Sequence, residues 1–357
     1  MIDNWPKFIL VFLGAGLISF LLTKGMIYFG KKFGILDEPT GDRKIHKTST
    51  PLLGGMGIYL AFVLAIGFLW KTGQLLDPRI EGSQIIWFLV AGLVLVINGF
   101  LDDKYKLSAK YTIWGPIVAS VIVIFGGLQI SYITHPTGGV LYLDNFFENW
   151  GTLATILPVV ITFLWLMGIT YTTKLLDGID GLVGSIGLIA SLVIFAVSLS
   201  WDVVGSTTSL LALVLGGAIF GFLIWNWHPA KIFLGEGGST FIGFALGVLA
   251  IISGSKIATA LLVMGLPVLD IIWVIIARLR QKKAFWRGDN QHLHFRLLKA
   301  GFSQKQIVFF LSAISLSFGV ISIFFTTKIK IIALIFLLVF MFLVSYWLNY
   351  KLKKTYE

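Results

Sequence analysis

Stretches of roughly twenty mainly apolar residues recur along almost the whole chain, and this repetition constrains the fold more than any other feature. A helix needs about 20 such residues to cross the hydrocarbon core of a bilayer. Eleven stretches meet the test, at roughly 8–29, 52–70, 84–101, 112–130, 152–172, 181–199, 207–225, 239–254, 257–279, 305–324 and 328–349. The runs are long and lack the strict alternation of lipid-facing barrel strands, so helices are expected. The fold class is all-α, a polytopic integral membrane protein of about eleven transmembrane helices, with ten as the alternative. The weakest boundary is near 254–257, where Ser253, Gly254, Ser255 and Lys256 barely separate two stretches. Together the stretches leave one membrane domain, 1–357, and no room for a large soluble one.

Composition agrees. The chain is 57% hydrophobic and 13% charged, with mean hydropathy +0.90, whereas soluble domains carry about 25% charged residues. The first stretch is too long for a signal h-region and lacks a small-residue cleavage pattern, so no cleaved leader is expected. Cys is absent, which removes disulfides and thiolate metal sites from consideration.

A net charge of +11 invites thoughts of nucleic acid, but its distribution says otherwise. Loops after odd-numbered stretches, with the C-terminal tail, hold twenty Lys and Arg; the opposite side holds six. Cytoplasmic loops carry the excess of such cations. The odd-exit loops are therefore expected in the cytoplasm, with the N-terminus outside and the C-terminus inside. Anchoring of topology is the ordinary role of any one of these cations, and no nucleic-acid partner is implied.

The polar motifs fall at those same alternate breaks, so they share one face of the bilayer. Asp177-Gly178-Ile179-Asp180-Gly181-Leu182 has two carboxylates three apart, each followed by glycine. Glycine lets backbone approach a ligand closely, and the carboxylates can ligate a hard cation; alternatively they cap the next helix. Asp102 and Asp103 adjoin Lys104, Lys106 and Lys110, either as a Mg²⁺ pair beside phosphate-holding lysines or as a solvated anchor turn. Gly235-Glu236-Gly237-Gly238-Ser239 opens a helix whose N–H groups suit an anion, and Phe233 just before it can stack on a base or fill the core. His292 and His294 stand in a long loop with Arg278, Arg280, Arg287 and Arg296. Alternate residues of a strand or turn can present both imidazoles to one ligand. Two His without Cys make zinc a poor fit. Arg43, Lys44, His46 and Lys47 precede Thr50-Pro51-Leu52-Leu53-Gly54-Gly55, a shaped loop. Asp270 is an ionisable group inside an apolar stretch, where it must pair or line a polar space. Pro267 is expected to kink that helix. Carboxylates, lysines and histidines gathered next to lipid suit an enzyme that joins a water-soluble anionic substrate to a membrane-borne one.

Taken in order, these motifs resemble the polyprenyl-phosphate N-acetylhexosamine-1-phosphate transferases. The likeness runs through R-K-x-H and T-P-x-x-G-G at 43–55, D-D and L-S-x-K at 102–110, and D-G-x-D-G-L at 177–182. It continues through P-A-x-x-F-x-G-x-x-G-S at 229–239, P-x-x-D at 267–270 and H-x-H at 292–294. Arg43–His46 and His292–His294 look like the branch using UDP-N-acetylglucosamine or similar sugars. Phe295 replaces the histidine common there and is similar to the sister phospho-N-acetylmuramoyl-pentapeptide branch.

The resemblance implies transfer of a sugar 1-phosphate from a UDP-N-acetylhexosamine to polyprenyl phosphate, with release of UMP, at a cytoplasmic cleft in the inner membrane. It implies Mg²⁺, with Mn²⁺ as a substitute, held by Asp103, Asp177 and Glu236. Asp102, Asp103, Asp177, Asp180, His292 and His294 are the implied catalytic group. Arg43, His46, Lys110, Lys174, Phe233, Arg278, Arg280 and Arg287 are the implied substrate contacts. UDP-sugar, polyprenyl phosphate and the bilayer are partners, and a second copy of the chain is a candidate. Two residues depart from the pattern. Glu236 stands where the family usually has a metal-ligating Asp, and Lys174 where it favours Asn. The departures keep open an inactive scaffold. A transporter is the rival of another class, but only Asp270 fits one and no internal repeat is visible.

Overall fold

A computed structural model describes residues 4–39, 48–75, 80–135, 139–143, 152–201, 206–254, 257–281 and 291–356. The elements are α1 (Trp5–Lys32), β1 (Leu36–Asp37), β2 (Thr50–Pro51), α2 (Gly54–Lys71), α3 (Gly82–Tyr105), α4 (Ala109–Thr112), α5 (Trp114–Phe125), β3 (Tyr132–Thr134) and β4 (Val140–Tyr142). They continue with α6 (Thr152–Leu176), α7 (Leu182–Trp201), α8 (Thr207–Asn226), α9 (Gly235–Ile252), α10 (Ile257–Val263), α11 (Gly265–Arg280), α12 (Leu293–Lys299), α13 (Gln304–Phe324) and α14 (Thr327–Tyr356).

Nine of the described helices are long and apolar enough to cross a membrane: α1, α2, α3, α6, α7, α8, α9, α13 and α14. A tenth span is the pair α10–α11, bent by 76°. The stretch expected at 112–130 differs. Ala109–Phe125 is a shorter apolar helix, about 25 Å long at 1.5 Å per residue, against a core of about 30 Å. Gly126 and Gly127 end it, the latter at φ +85°. The expected kink at Pro267 is also displaced. The bend falls at Met264, and α11 restarts at Gly265. Pro267 then sits in the first turn, where a missing N–H costs nothing.

Helices α8 and α9 form the centre, with nearly every residue buried. Around α8 pack α1, α2 and α7; around α9 pack α2, α3, α6 and α7. The approach is close because small residues meet. A Cβ on Gly221 would lie 2.1 Å from the Gly16 carbonyl, and Ser19 Oγ donates to the Ala218 carbonyl at 2.6 Å. In lipid, association rests on such packing rather than on hydrophobic force. The periphery is the reverse. Leu10, Leu13, Leu17 and Leu21 of α1, and Ile332, Ile335, Phe336 and Phe342 of α14, are exposed. A soluble monomer rarely shows apolar surface of that extent; against hydrocarbon it is at home. The chain is a multi-pass membrane protein.

At one end, short antiparallel pairing aligns Leu36 with Pro51 and Asp37 with Thr50. The loop after β2 is then zipped to the loop before α9. Phe233 N–H donates to the Pro51 carbonyl, Gly54 N–H to the Phe233 carbonyl and Gly55 N–H to the Leu234 carbonyl, at 2.8–3.0 Å.

Candidate active site

Five of the alternate breaks meet in a cavity of about 960 Å³. Its lining draws on β1–β2, the end of α3, the α6–α7 loop and the α8–α9 loop, with Phe295 and Gln304 from α12 and α13. Asp102, Asp103, Lys174, Asp177, Asp180, Phe233 and Glu236, all expected from sequence, line it together.

Each carboxylate is positioned by backbone. Helix α3 carries Asp102 and Asp103 in its last turn and ends at Lys106, a left-handed cap whose N–H donates to the Asp102 carbonyl. Helix α9 begins at Gly235, with φ +73°. A Cβ there would meet the Leu52 carbonyl and Asp103 Oδ2, so only glycine fits. The Glu236 N–H donates to both oxygens of Asp103, each at 3.2 Å. Asp103 thus caps the central helix from another element, where the helix dipole favours a negative charge.

In the α6–α7 loop, Asp180 Oδ2 meets His228 Nδ1 at 2.7 Å and accepts from Ala230 N–H at 3.1 Å. The Asp180 N–H donates to Gln304 Oε1 at 3.2 Å, and Gly181 N–H to Asn226 Oδ1 at 2.9 Å. Asp177 opens onto the cavity. Desolvation by the surrounding protein, then the charges of Glu236 and Asp180, pushes its carboxyl well above the usual range. Lys174 Nζ lies 3.0 Å from Glu236 Oε2.

The H-x-H motif is not a strand or turn offering both rings to one ligand. His292 stands at the N-cap position of α12, without a capping bond from its side chain, and His294 lies in its first turn. Their rings are parallel within 3°, with centroids 5.9 Å apart, and both are buried behind the cavity. Asp270 Oδ2 meets His292 Nδ1 at 2.9 Å, and Oδ1 accepts from Leu293 N–H at 2.8 Å. His294 presses on the aspartate loop. A Cβ at Gly178 would lie 2.2 Å from His294 Nε2. Neither ring nitrogen of His294 has a hydrogen-bond partner among the described residues. Burial, then the neighbouring His292, lowers it to about 3, so it is neutral at pH 7.

Other expected residues stand apart. Lys110 is exposed, over the Tyr111 ring, and Lys106 takes the place on the cavity wall instead. Arg278 is buried in α11 and Arg280 is exposed at its end; neither lines the cavity. Arg43, His46 and Arg287 lie outside the described residues. Sequence reasoning passed over Asn226, His228 and Gln304. The signal was present for His228, one of five histidines, in an odd-exit loop directly before Pro229.

The cavity's donors are carboxylate oxygens, which suit a hard cation such as Mg²⁺. Asp103, Asp177 and Glu236 line the cavity and are the carboxylates that could supply such oxygens. Among the described residues no three His, Asp or Glu close around one point, and the Lys174 ammonium stands on Glu236.

Residues 85–254 match glycosyl transferase family 4. The chain is 31% identical over 324 residues to decaprenyl-phosphate N-acetylglucosaminephosphotransferase of Mycobacterium tuberculosis, covering 84% of this chain and 78% of that one. It is 28% identical to a probable undecaprenyl-phosphate N-acetylglucosaminyl 1-phosphate transferase of Bacillus subtilis, covering 90% and 86%. With undecaprenyl-phosphate alpha-N-acetylglucosaminyl 1-phosphate transferase of Escherichia coli it shares 27%, covering 88% and 84%.

Proposed function

The chain belongs to glycosyl transferase family 4, and from that premise we propose that it transfers N-acetylglucosamine 1-phosphate from UDP-N-acetylglucosamine to polyprenyl phosphate. A phosphate oxygen of the lipid attacks the β-phosphorus of the UDP-sugar. The bond from that phosphorus to the bridging oxygen breaks, and UMP leaves. The observation that carries the reading is the convergence of Asp102, Asp103, Asp177, Asp180 and Glu236, with Lys106 and Lys174, on one cavity at the end of an apolar helical bundle.

Both substrates are anionic, so the site must neutralise charge and align two phosphates; covalent help from protein is not needed. Mg²⁺ bound by Asp103, Asp177 and Glu236 would neutralise phosphate charge and fix its orientation. Lys106 and Lys174 offer point charges to the diphosphate. Phe233, part-buried in the wall, offers a ring for the base. Asp180 and His228 fix one another at the rim, and Asp103 ties the start of α9 to the end of α3. The cavity faces the cytoplasm of a bacterial inner membrane, with the N-terminus outside, as the cation asymmetry favours. A homodimer is compatible with the apolar periphery.

The test is UMP release by purified protein with polyprenyl phosphate and a panel of UDP-sugars. UMP and lipid-linked N-acetylglucosamine phosphate are expected, abolished by EDTA. Phe295 on the cavity wall earns UDP-N-acetylmuramoyl-pentapeptide a place in the panel. Turnover with that donor alone would move the chain to the sister branch. Uptake of UDP-sugar into liposomes without lipid-linked product would overturn the reading.

A further inference from the structure

The two residues that depart from the family's pattern touch each other. Lys174 comes from the last turn of α6 and Glu236 from the first turn of α9, and their charged atoms are 3.0 Å apart. Lys174 also leans on the Tyr171 ring, 5.8 Å from its centroid, and its charge acts on Asp102. Glu236 Oε2 is buried. An Asn at 174 would bring no charge to this wall, and an Asp at 236 would be one methylene short of reaching the ammonium. The substitutions therefore make sense as a pair. Each supplies what the other needs.

We propose that Lys174 is a tethered cation within the metal site, competing with the divalent ion for Glu236. This rests on the reading of the cavity as a phosphotransferase site. Glu236 is held by Lys174 at 3.0 Å, so a divalent ion would use that carboxylate only by displacing the ammonium. With a divalent ion at Glu236 the two positive charges would repel, and Lys174 would be free to turn its ammonium into the cavity it lines. Weak metal binding and a cation ready for phosphate are two consequences of one pair.

The experiment titrates purified full-length protein in detergent with Mn²⁺, reading free ion by electron spin resonance. Lys174→Gln is expected to bind Mn²⁺ about tenfold more tightly than the wild type. Glu236→Gln should cost less than about threefold in the wild-type background but about tenfold in Lys174→Gln, as two competing interactions require. If Lys174→Gln elutes as aggregate, the Lys174→Asn/Glu236→Asp double variant carries the same comparison and should also bind more tightly. Unchanged or weaker Mn²⁺ affinity in whichever variant folds overturns the competition, as does an equal cost of Glu236→Gln in both backgrounds. UMP release by the wild type is measured in parallel. Competition without UMP release sinks the transferase reading alone; UMP release without competition sinks this inference alone.

Discussion

Asp270 shows how an ionisable side chain is tolerated within a bundle of apolar helices. Both its oxygens are used, one by His292 Nδ1 and one by the N–H that opens α12. Asp270→Ala would leave a buried imidazole and a helix N–H without partners, a loss of about 2–4 kcal/mol. Asp270→Asn keeps one acceptor and should cost about half as much. Thermal unfolding in detergent distinguishes the two, and equal melting temperatures for wild type and Asp270→Ala would remove the pairing. Asp103→Asn is a different case. The amide oxygen still caps α9, so the fold should persist, while turnover falls by about a hundredfold or more because charge, not shape, is lost. UMP release measured beside the melting temperature checks both halves. Sequence could flag Asp270, since a lone charge among apolar residues must find a partner, but not name His292. Partners across loops follow from tertiary geometry, which no local spacing encodes. The Lys174–Glu236 contact escaped for the same reason, although both residues stood out singly.

At the scale of elements, α12 is a wedge between the aspartate loop and α14. On one side His294 fills the space left by the missing side chain of Gly178. On the other, Arg296 Nη2 donates to the Ser345 carbonyl at 2.7 Å and to Asn349 Oδ1 at 2.9 Å. Gly178→Ala should push the wedge away and cost about 1–3 kcal/mol with a loss of turnover. His294→Ala in the same chain should restore part of both, and failure of that rescue would mean the two do not press on each other. The buried His294 also sets a pH dependence. Its folded value of about 3 lies below the unfolded value of about 6.5. Above about pH 6.5 neither state is protonated there and stability is unaffected. As pH falls from 6.5 toward 3 only the unfolded state takes the proton, and stability drops by up to about 1.4 kcal/mol per unit. His292, held by Asp270, faces it from the same turn, and the carboxyl of Asp177 beside Gly178 titrates in the opposite sense. The informative quantity is therefore the difference from His294→Gln, whose melting curve should fall less between pH 6 and 4. Parallel curves would contradict a buried neutral imidazole. A seven-residue helix capped by Asp270 from another element was not legible in a loop rich in Arg and Lys, because its cap and its apolar side are made by tertiary contacts. The long spans were legible, because hydropathy is a local sum.

For the whole molecule, the parity of the breaks decides which motifs can meet. A chain that crosses a slab returns to the same face at alternate breaks, so motifs far apart in sequence had to be neighbours in space if the spans were correct. The cavity bears that out with residues from 36 to 304. The count of spans matters to that argument: Asp102 and Asp177 meet only because Ala109–Phe125, though short, also carries the chain back across between α3 and α6. By the same reasoning the bent pair α10–α11 counts as one crossing, because Glu236 before it and Phe295 after it line the same cavity. Which face is cytoplasmic is a separate question, and the structure offers a direct way to ask it. The last turns of α14 are bound to α12 by Arg296 and by Lys351 Nζ, which donates to the Ala300 carbonyl at 2.9 Å. Phe295, within α12, lines the cavity. The C-terminal end and the cavity therefore share a face, and a reporter fused after Glu357 reads the side of the active site itself. Alkaline phosphatase there should be silent and a fluorescent protein bright, while a tag within 136–148 should be open to impermeant reagents on intact cells. The reverse pattern would put the carboxylates outside, away from the cytoplasmic nucleotide sugar. The fold would survive that result, but the cation asymmetry and the proposed donor would both have to be abandoned.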